Sequence, residues 1–143
     1  MIPSYTLQIV VPGTPVGWQR ADSKGRQRYD TPRNKATKAQ IGMLARVAMG
    51  SAPIISGPVV MSIRAEFEPS KSWSKRQREL AMGNYHTQKP DRDNIEKLVA
   101  DALKGVVWVD DCQVADGKTT KLWGPVAQTT IIVKEMPWRC SNA

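Results

Sequence analysis

Apolar and polar residues change their rhythm several times along the chain, and each change marks an element. Tyr5-Thr6-Leu7-Gln8-Ile9-Val10-Val11 alternates and then runs apolar, which predicts a strand ending at Pro12-Gly13. The stretch from Pro15 to Asn34 has no period and is rich in Pro, Gly and charge, so it is expected to be irregular. From Lys35 to Met49 the spacing of Ile41, Leu44, Ala45 and Ala48 predicts an amphipathic helix with Lys35, Lys38 and Arg46 on its wet face. Pro58 to Glu68 alternates again and predicts a second strand, stopped by Pro69. A short helix is expected from Lys75 to Met82, with Ser74 as its N-cap, and then a loop from Gly83 to Pro90.

The strongest helical pattern comes next. Ile95, Leu98, Val99, Ala102 and Leu103 form one apolar stripe, Asp91 is placed to cap its start, and Gly105 is placed to end it. At 100° per residue, Asp93, Lys97 and Lys104 lie on one line opposite the stripe, with Asp101 beside them. A short apolar segment, Val106 to Val109, then runs into Asp110-Asp111. Cys112 to Leu122 and Gln128 to Met136 are expected to pair as a hairpin about Gly124-Pro125. The order of elements predicts an α/β or α+β fold: a small mixed sheet with helices packed against it, in one domain over 1–143, with a loosely ordered tail from Pro137.

Size and composition narrow the classes open to this chain. At 143 residues it is large enough for a core without disulfides or structural metal. No run approaches the ~20 apolar residues of a membrane span, and Met1-Ile2-Pro3-Ser4 lacks the features of a signal peptide, so a cytoplasmic location is expected. Cys112 and Cys140, the only cysteines, form no metal-binding spacing and are expected as free thiols. A formal charge of +8 favours a phosphate-rich partner.

Against that basic background, six of the thirteen acidic residues (Asp91, Asp93, Glu96, Asp101, Asp110 and Asp111) fall within 21 positions. Asp91 and Asp93 flank one residue at a loop-to-helix junction, and Asp110 or Asp111 is placed to supply a third carboxylate. Carboxylates brought together raise each other's cost of ionising, and a hard divalent cation relieves it. A metal so held lowers the pKa of bound water and stabilises charge on a phosphodiester. Lys97, one turn beyond Asp93, is placed to offset phosphate charge or orient a nucleophile. The plainer alternative is that Asp-x-Asp caps a helix and Asp-Asp makes a turn.

Asp91-Arg92-Asp93-Asn94-Ile95-Glu96-Lys97, followed by Asp101 and then by Trp108-Val109-Asp110-Asp111-Cys112-Gln113-Val114, resembles the RusA family of Holliday junction resolvases. The opening, Pro12-Gly13-Thr14-Pro15-Val16-Gly17-Trp18 running into a basic loop, is similar to phage-borne members. The resemblance departs at Arg92, where an apolar residue is expected. It implies a Mg²⁺-dependent endonuclease, with Mn²⁺ as a substitute and no organic cofactor. Such an enzyme acts as a homodimer and makes paired symmetric nicks in four-way DNA junctions during recombination and repair. Carried over by position, Asp91, Asp93 and Asp111 are the implied metal ligands, Lys97 the catalytic lysine, and Asp110 a neighbour of lesser role.

Flexible basic segments interleaved with aromatics suit phosphate contact and stacking on unpaired bases. Two such segments are the expected DNA contacts: Arg20, Lys24, Arg26, Arg28 and Arg33, with Trp18 and Tyr29 among them, and Lys71, Lys75 and Arg76. His86, the only histidine, is expected to be an exposed bystander, and Trp108 and Trp123 are expected in the core. A non-catalytic basic DNA-binding module, and a nuclease for flaps or forks, are the rival readings.

Overall fold

A computed structural model describes residues 2–20 and 30–138. Its elements are β1 (Tyr5–Pro12), α1 (Pro32–Met49), β2 (Val59–Phe67), α2 (Lys75–Ala81), α3 (Arg92–Leu103), β3 (Val114–Asp116), β4 (Thr119–Trp123) and β5 (Gln128–Glu135), with a single 3-10 turn at Asp111–Gln113. This is the expected mixed sheet with helices against it, an α+β fold.

The sheet is built around β2. β5 lies antiparallel along it from Val59↔Glu135 to Glu66↔Gln128, and β1 lies antiparallel on the far side of β5. On the other edge of β2 run two parallel partners, β3 at Val59↔Val114 and β4 from Ile63↔Thr119 to Phe67↔Trp123. The hairpin expected between the last two strands therefore does not form. The chain after β4 crosses the end of β2, where Gly124 donates its N–H to Phe67 O and Gly13 donates to Ala127 O, so β4 and β5 flank β2. The reason lies in strand length and burial. β5 has eight residues and buries Thr129, Ile131 and Val133 on one face, which matches it to the long strands β1 and β2, whereas β4 has only five residues.

One face of the sheet carries Leu7, Ile9, Val11, Met61, Ile63, Ala65, Ile131 and Val133 into the core, and the helices α1 and α3 cover that face. α1 begins earlier than the apolar pattern alone predicts, because Thr31 caps it by accepting the Asn34 N–H and Pro32 occupies the first turn. α2 starts at Ser74 with a reciprocal capping box to Gln77. α3 buries the whole predicted stripe, Ile95, Leu98, Val99, Ala102 and Leu103. Each large apolar side chain of such a stripe contributes about 1.5–3 kcal/mol when fully buried. That burial fixes the helix whose first turn carries the acidic motif. No helix among the described residues is long and apolar enough to cross a membrane.

Candidate nucleic-acid active site

Asp91 occupies the N-cap position of α3 in extended backbone, as expected, yet its side chain makes no capping hydrogen bond. The Asn94 and Ile95 N–H groups instead donate to the Asp91 main-chain oxygen, at 3.1 and 3.2 Å. The carboxylate turns away from its own helix and meets Lys89 Nζ at 3.0 Å. That pair is open to water and contributes little to stability. Asp93 is exposed in the first helical turn, where the helix dipole favours a negative charge. The Asp-x-Asp motif thus leaves both carboxylates exposed and neither committed to capping.

The segment Thr14 to Gln19 is strapped across this helix start. Trp18 donates its N–H to Asn94 O at 2.9 Å, and Lys97 Nζ sits 3.6 Å from the centroid of the Trp18 ring. Gly17 makes the approach possible: a Cβ there would lie 2.6 Å from Pro90 Cβ and 3.3 Å from Asn94 Cβ. Lys97 is therefore the neighbour of Trp18 as well as of Asp93, one turn away.

Beside Asp91 opens a cleft of about 550 Å³. Its walls are aromatic (Trp18, Phe67, Trp73, His86 and Trp123), and its polar rim includes Arg33, Lys89, Asp91 and Asn94. The loop before the motif shapes one wall by pairing with the outer edge of β4. His86 donates its main-chain N–H to Lys121 O, Gly83 donates to Trp123 O, and Trp123 donates to Asn84 O. Lys121 Nζ closes the turn by donating to Gln88 O at 2.6 Å.

His86 is not the exposed bystander expected from its place in a loop. It is 6 % exposed, stacked on Phe67 with centroids 3.7 Å apart, and 4.5 Å from the ring of Trp123. Pairing with the edge of β4 carries the loop back over the sheet and sets the imidazole among aromatic rings. Burial, followed by the charge of Lys121, lowers its pKa to about 4, so the ring is neutral near pH 7. Burial and the nearby Lys89 lower the Lys121 pKa too, and Asp91 partly offsets them.

The second acidic pair is built differently. Asp110 accepts the Cys112 N–H and forms a capping box with Gln113, which in turn donates to Ile55 O and Gly57 O. Asp111 accepts the indole N–H of the fully buried Trp108 at 2.9 Å. Within the single chain no hydrogen bond or ion pair among the described residues links Asp111 to Asp91 or Asp93. No three His, Cys, Asp or Glu side chains among the described residues form a group able to hold a metal ion.

Of the expected DNA contacts, Arg20, Arg33, Lys71, Lys75 and Arg76 are exposed, and Arg33 lines the cleft. Lys24, Arg26 and Arg28 lie outside the described residues, as do Tyr29 and Cys140. Both stems of the basic segment are pinned by Asn34, which is fully buried. Its Nδ2 donates to Gln19 O at 2.9 Å and its Oδ1 accepts the Gln19 N–H at 3.2 Å. Arg92, the residue that departs from the family pattern, lines a shallow depression with Tyr85, Lys118 and Lys121 outside the cleft, adding a third basic surface. Neither Asn34 nor His86 was visible as a site residue in the pattern. Each lies where hydrophobic periodicity is silent, and contacts distant in sequence give it its role.

The described residues form a mixed five-stranded sheet that presents an Asp-x-Asp helix start without a side-chain cap beside an aromatic cleft and exposed basic side chains. Residues 12–134 match the family described as Endodeoxyribonuclease RusA, and the chain belongs to that family. It is also 36 % identical, over 88 residues, to "Uncharacterized protein YqaN" of Bacillus subtilis. That alignment takes in 58 % of this chain and 61 % of the relative, so the chain spans about three fifths of the length of the curated relative it matches.

Proposed function

We propose that this protein is a divalent-metal-dependent endodeoxyribonuclease that resolves four-way DNA junctions by paired symmetric nicks, acting as a homodimer. Membership of the RusA family supports the nuclease chemistry and the branched-DNA substrate. The observation that carries the site assignment is the helix start itself. Asp91 stands at a cap position without capping, on the rim of the cleft, with Asp93 exposed two residues later.

The donor set fits Mg²⁺, which characteristically takes one or two carboxylates and leaves its other positions to water and substrate phosphate. Asp91 and Asp93 would hold the ion; Asp111, which the single chain does not gather with them, is the third ligand implied by the family motif and would have to be brought to the ion. When bound, the ion would supply Lewis-acid polarisation of the scissile phosphate and an activated water. The chain's own residues do the rest. Lys97, held against Trp18, is set to neutralise charge that develops on the phosphate. Exposed Arg20, Arg33, Lys71, Lys75 and Arg76 bind the backbone and fix its register. A two-fold dimer supplies two equivalent sites for the two symmetric cuts.

The test is cleavage of a labelled synthetic four-way junction beside linear duplex and flap controls, with and without Mg²⁺. Paired nicks confined to the junction and dependent on metal are expected. Cleavage of flaps alone would keep the site and change the substrate. Binding without cleavage under any divalent metal would reduce the protein to a DNA-binding module.

A further inference from the structure

The nuclease proposal uses Asp91 and the basic rim and leaves the interior of the adjoining cleft without a role. Its lining is unusual for a surface that meets only phosphates. Trp73 and Trp123 stand 5.0 Å apart between centroids at 58°, His86 packs against Trp123, and Trp18 lines the same cleft. About 550 Å³ lies within the range of small-ligand pockets, too small for a duplex and ample for a single base with its sugar. One polar atom of a lining residue has no partner. His86 Nδ1 is buried with no hydrogen-bond partner among the described residues, on a side chain only 6 % exposed. Leaving a buried polar atom unpaired is costly, and a ligand that supplies the partner recovers that cost.

We propose that the cleft bounded by Trp18, Trp73, Trp123 and His86 takes one unpaired nucleobase of the branched DNA, stacked on the indoles and hydrogen-bonded to His86 Nδ1. This deepens the nuclease reading and rests on it for the identity of the polymer as DNA. Three features select a nucleobase over other flat ligands. Arg33 and Lys89 on the rim suit the phosphates on either side of the base. Indole faces stack on any base. A neutral imidazole nitrogen pairs with a base edge as donor or acceptor, according to its tautomer. Bases at a four-way crossover are the ones whose stacking is already interrupted, so drawing one out is least costly there. The cleft then supplies structure selectivity: intact duplex offers no free base, and its backbone is not drawn to Asp91.

The test uses the full-length protein and a four-way junction carrying 5-iodouracil at one position at a time through the crossover, in Ca²⁺ to suppress cleavage. Irradiation is expected to cross-link one or two positions to Trp18, Trp73, Trp123 or His86, located by mass spectrometry of the peptides. Trp73→Ala and His86→Phe should lose that cross-link and bind short single-stranded oligonucleotides roughly tenfold more weakly. Their binding to linear duplex should be unchanged. Asp93→Asn should keep both the cross-link and the affinity, which separates failure of the cleft from failure of the nuclease. Cross-links confined to residues outside the cleft, or none at any position, would overturn the proposal. So would unaltered oligonucleotide binding by both folded variants. Removing the base chemically from the cross-linking position leaves the protein intact and should weaken junction binding by a similar factor. If that abasic junction binds as tightly as the parent, the cleft is not reading the base.

Discussion

The two acidic pairs invite comparison, because in sequence they look alike and in the fold they do not. Asp110 and Asp111 are both spoken for: one caps a 3-10 turn and the other holds the indole of Trp108. Asp91 and Asp93 have no such duties toward the fold. Asp91 sits at a cap position and leaves the capping bond unmade, while its main-chain oxygen carries the first helical bonds. A carboxylate that stabilises the chain is engaged by neighbours; one kept for a ligand is left exposed and positioned by others. Here the positioning comes from Gly17, Trp18 and Asn94, packed behind the motif. The comparison also divides the proposed metal ligands. Two belong to the exposed pair, and the third, Asp111, would serve the ion while anchored through Trp108.

The sharpest break in this comparison comes from replacing single carboxylates with amides. Asp91→Asn is expected to reduce junction cleavage by at least about 100-fold, a loss typical of a key electrostatic group, and to leave the melting temperature within a degree or two. Asp111→Asn keeps an oxygen to accept from Trp108, so it should fold normally. If Asp111 is the third ligand, its cleavage falls by a similar factor, and normal cleavage would remove it from the site. Paired melting curves and junction assays decide both.

Gly17→Ala comes next. Its Cβ would meet Pro90 Cβ at 2.6 Å, so the strap or the motif loop must shift. A cost of about 1–3 kcal/mol follows, read as a fall of several degrees in thermal midpoint. Cleavage should drop as well, since Asn94 and Asp91 move with the loop. An unchanged midpoint would mean that the strap is not packed on the motif.

A smaller effect is expected from Asp110→Ala. Losing the cap of the 3-10 turn costs about 1 kcal/mol, seen in denaturant unfolding, with cleavage within a few-fold of wild type. Loss of cleavage without loss of stability would exchange the roles of Asp110 and Asp111.

The last concerns pH. His86 has a folded pKa of about 4 against 6.5 when unfolded, so below 6.5 the unfolded chain binds the extra proton. Its contribution to stability is fully present above pH 6.5 and is lost as pH falls toward 4. Comparing melting points of wild type and His86→Phe at pH 7.5 and 4.5 isolates it. The wild type should lose a few degrees more than the variant, and parallel curves would place His86 in solvent.

Much of this fold is legible in the pattern of residues alone. The stripe on α3, the Ser74 cap and strands β1 and β2 follow from periods and caps that are local in sequence. The pairing of β4 and β5 was not legible. A short turn between two apolar runs looks like a hairpin from within, and only the competing length and burial of β2 divert it. The acidic motif could be read because its residues are neighbours along the chain. The cleft could not, because Trp18, Trp73, His86 and Trp123 come from four separate segments. His86 in particular looks like a loop residue until the edge of β4 carries it inside. Capping at Asp91 was expected from its position and residue type alone, and the departure from that expectation is what marks the site.

The central claim is that the helix start at Asp91 and Asp93 performs chemistry on DNA and does not serve merely as structure. The most direct measurement takes Asp93→Asn and follows binding and cleavage of one four-way junction in the same samples, in Mg²⁺, beside wild type. Junction affinity within a few-fold of wild type, together with loss of both symmetric nicks, is the predicted result. Undiminished cleavage by Asp93→Asn would contradict it and return the aspartate to an ordinary place in the first turn of a helix.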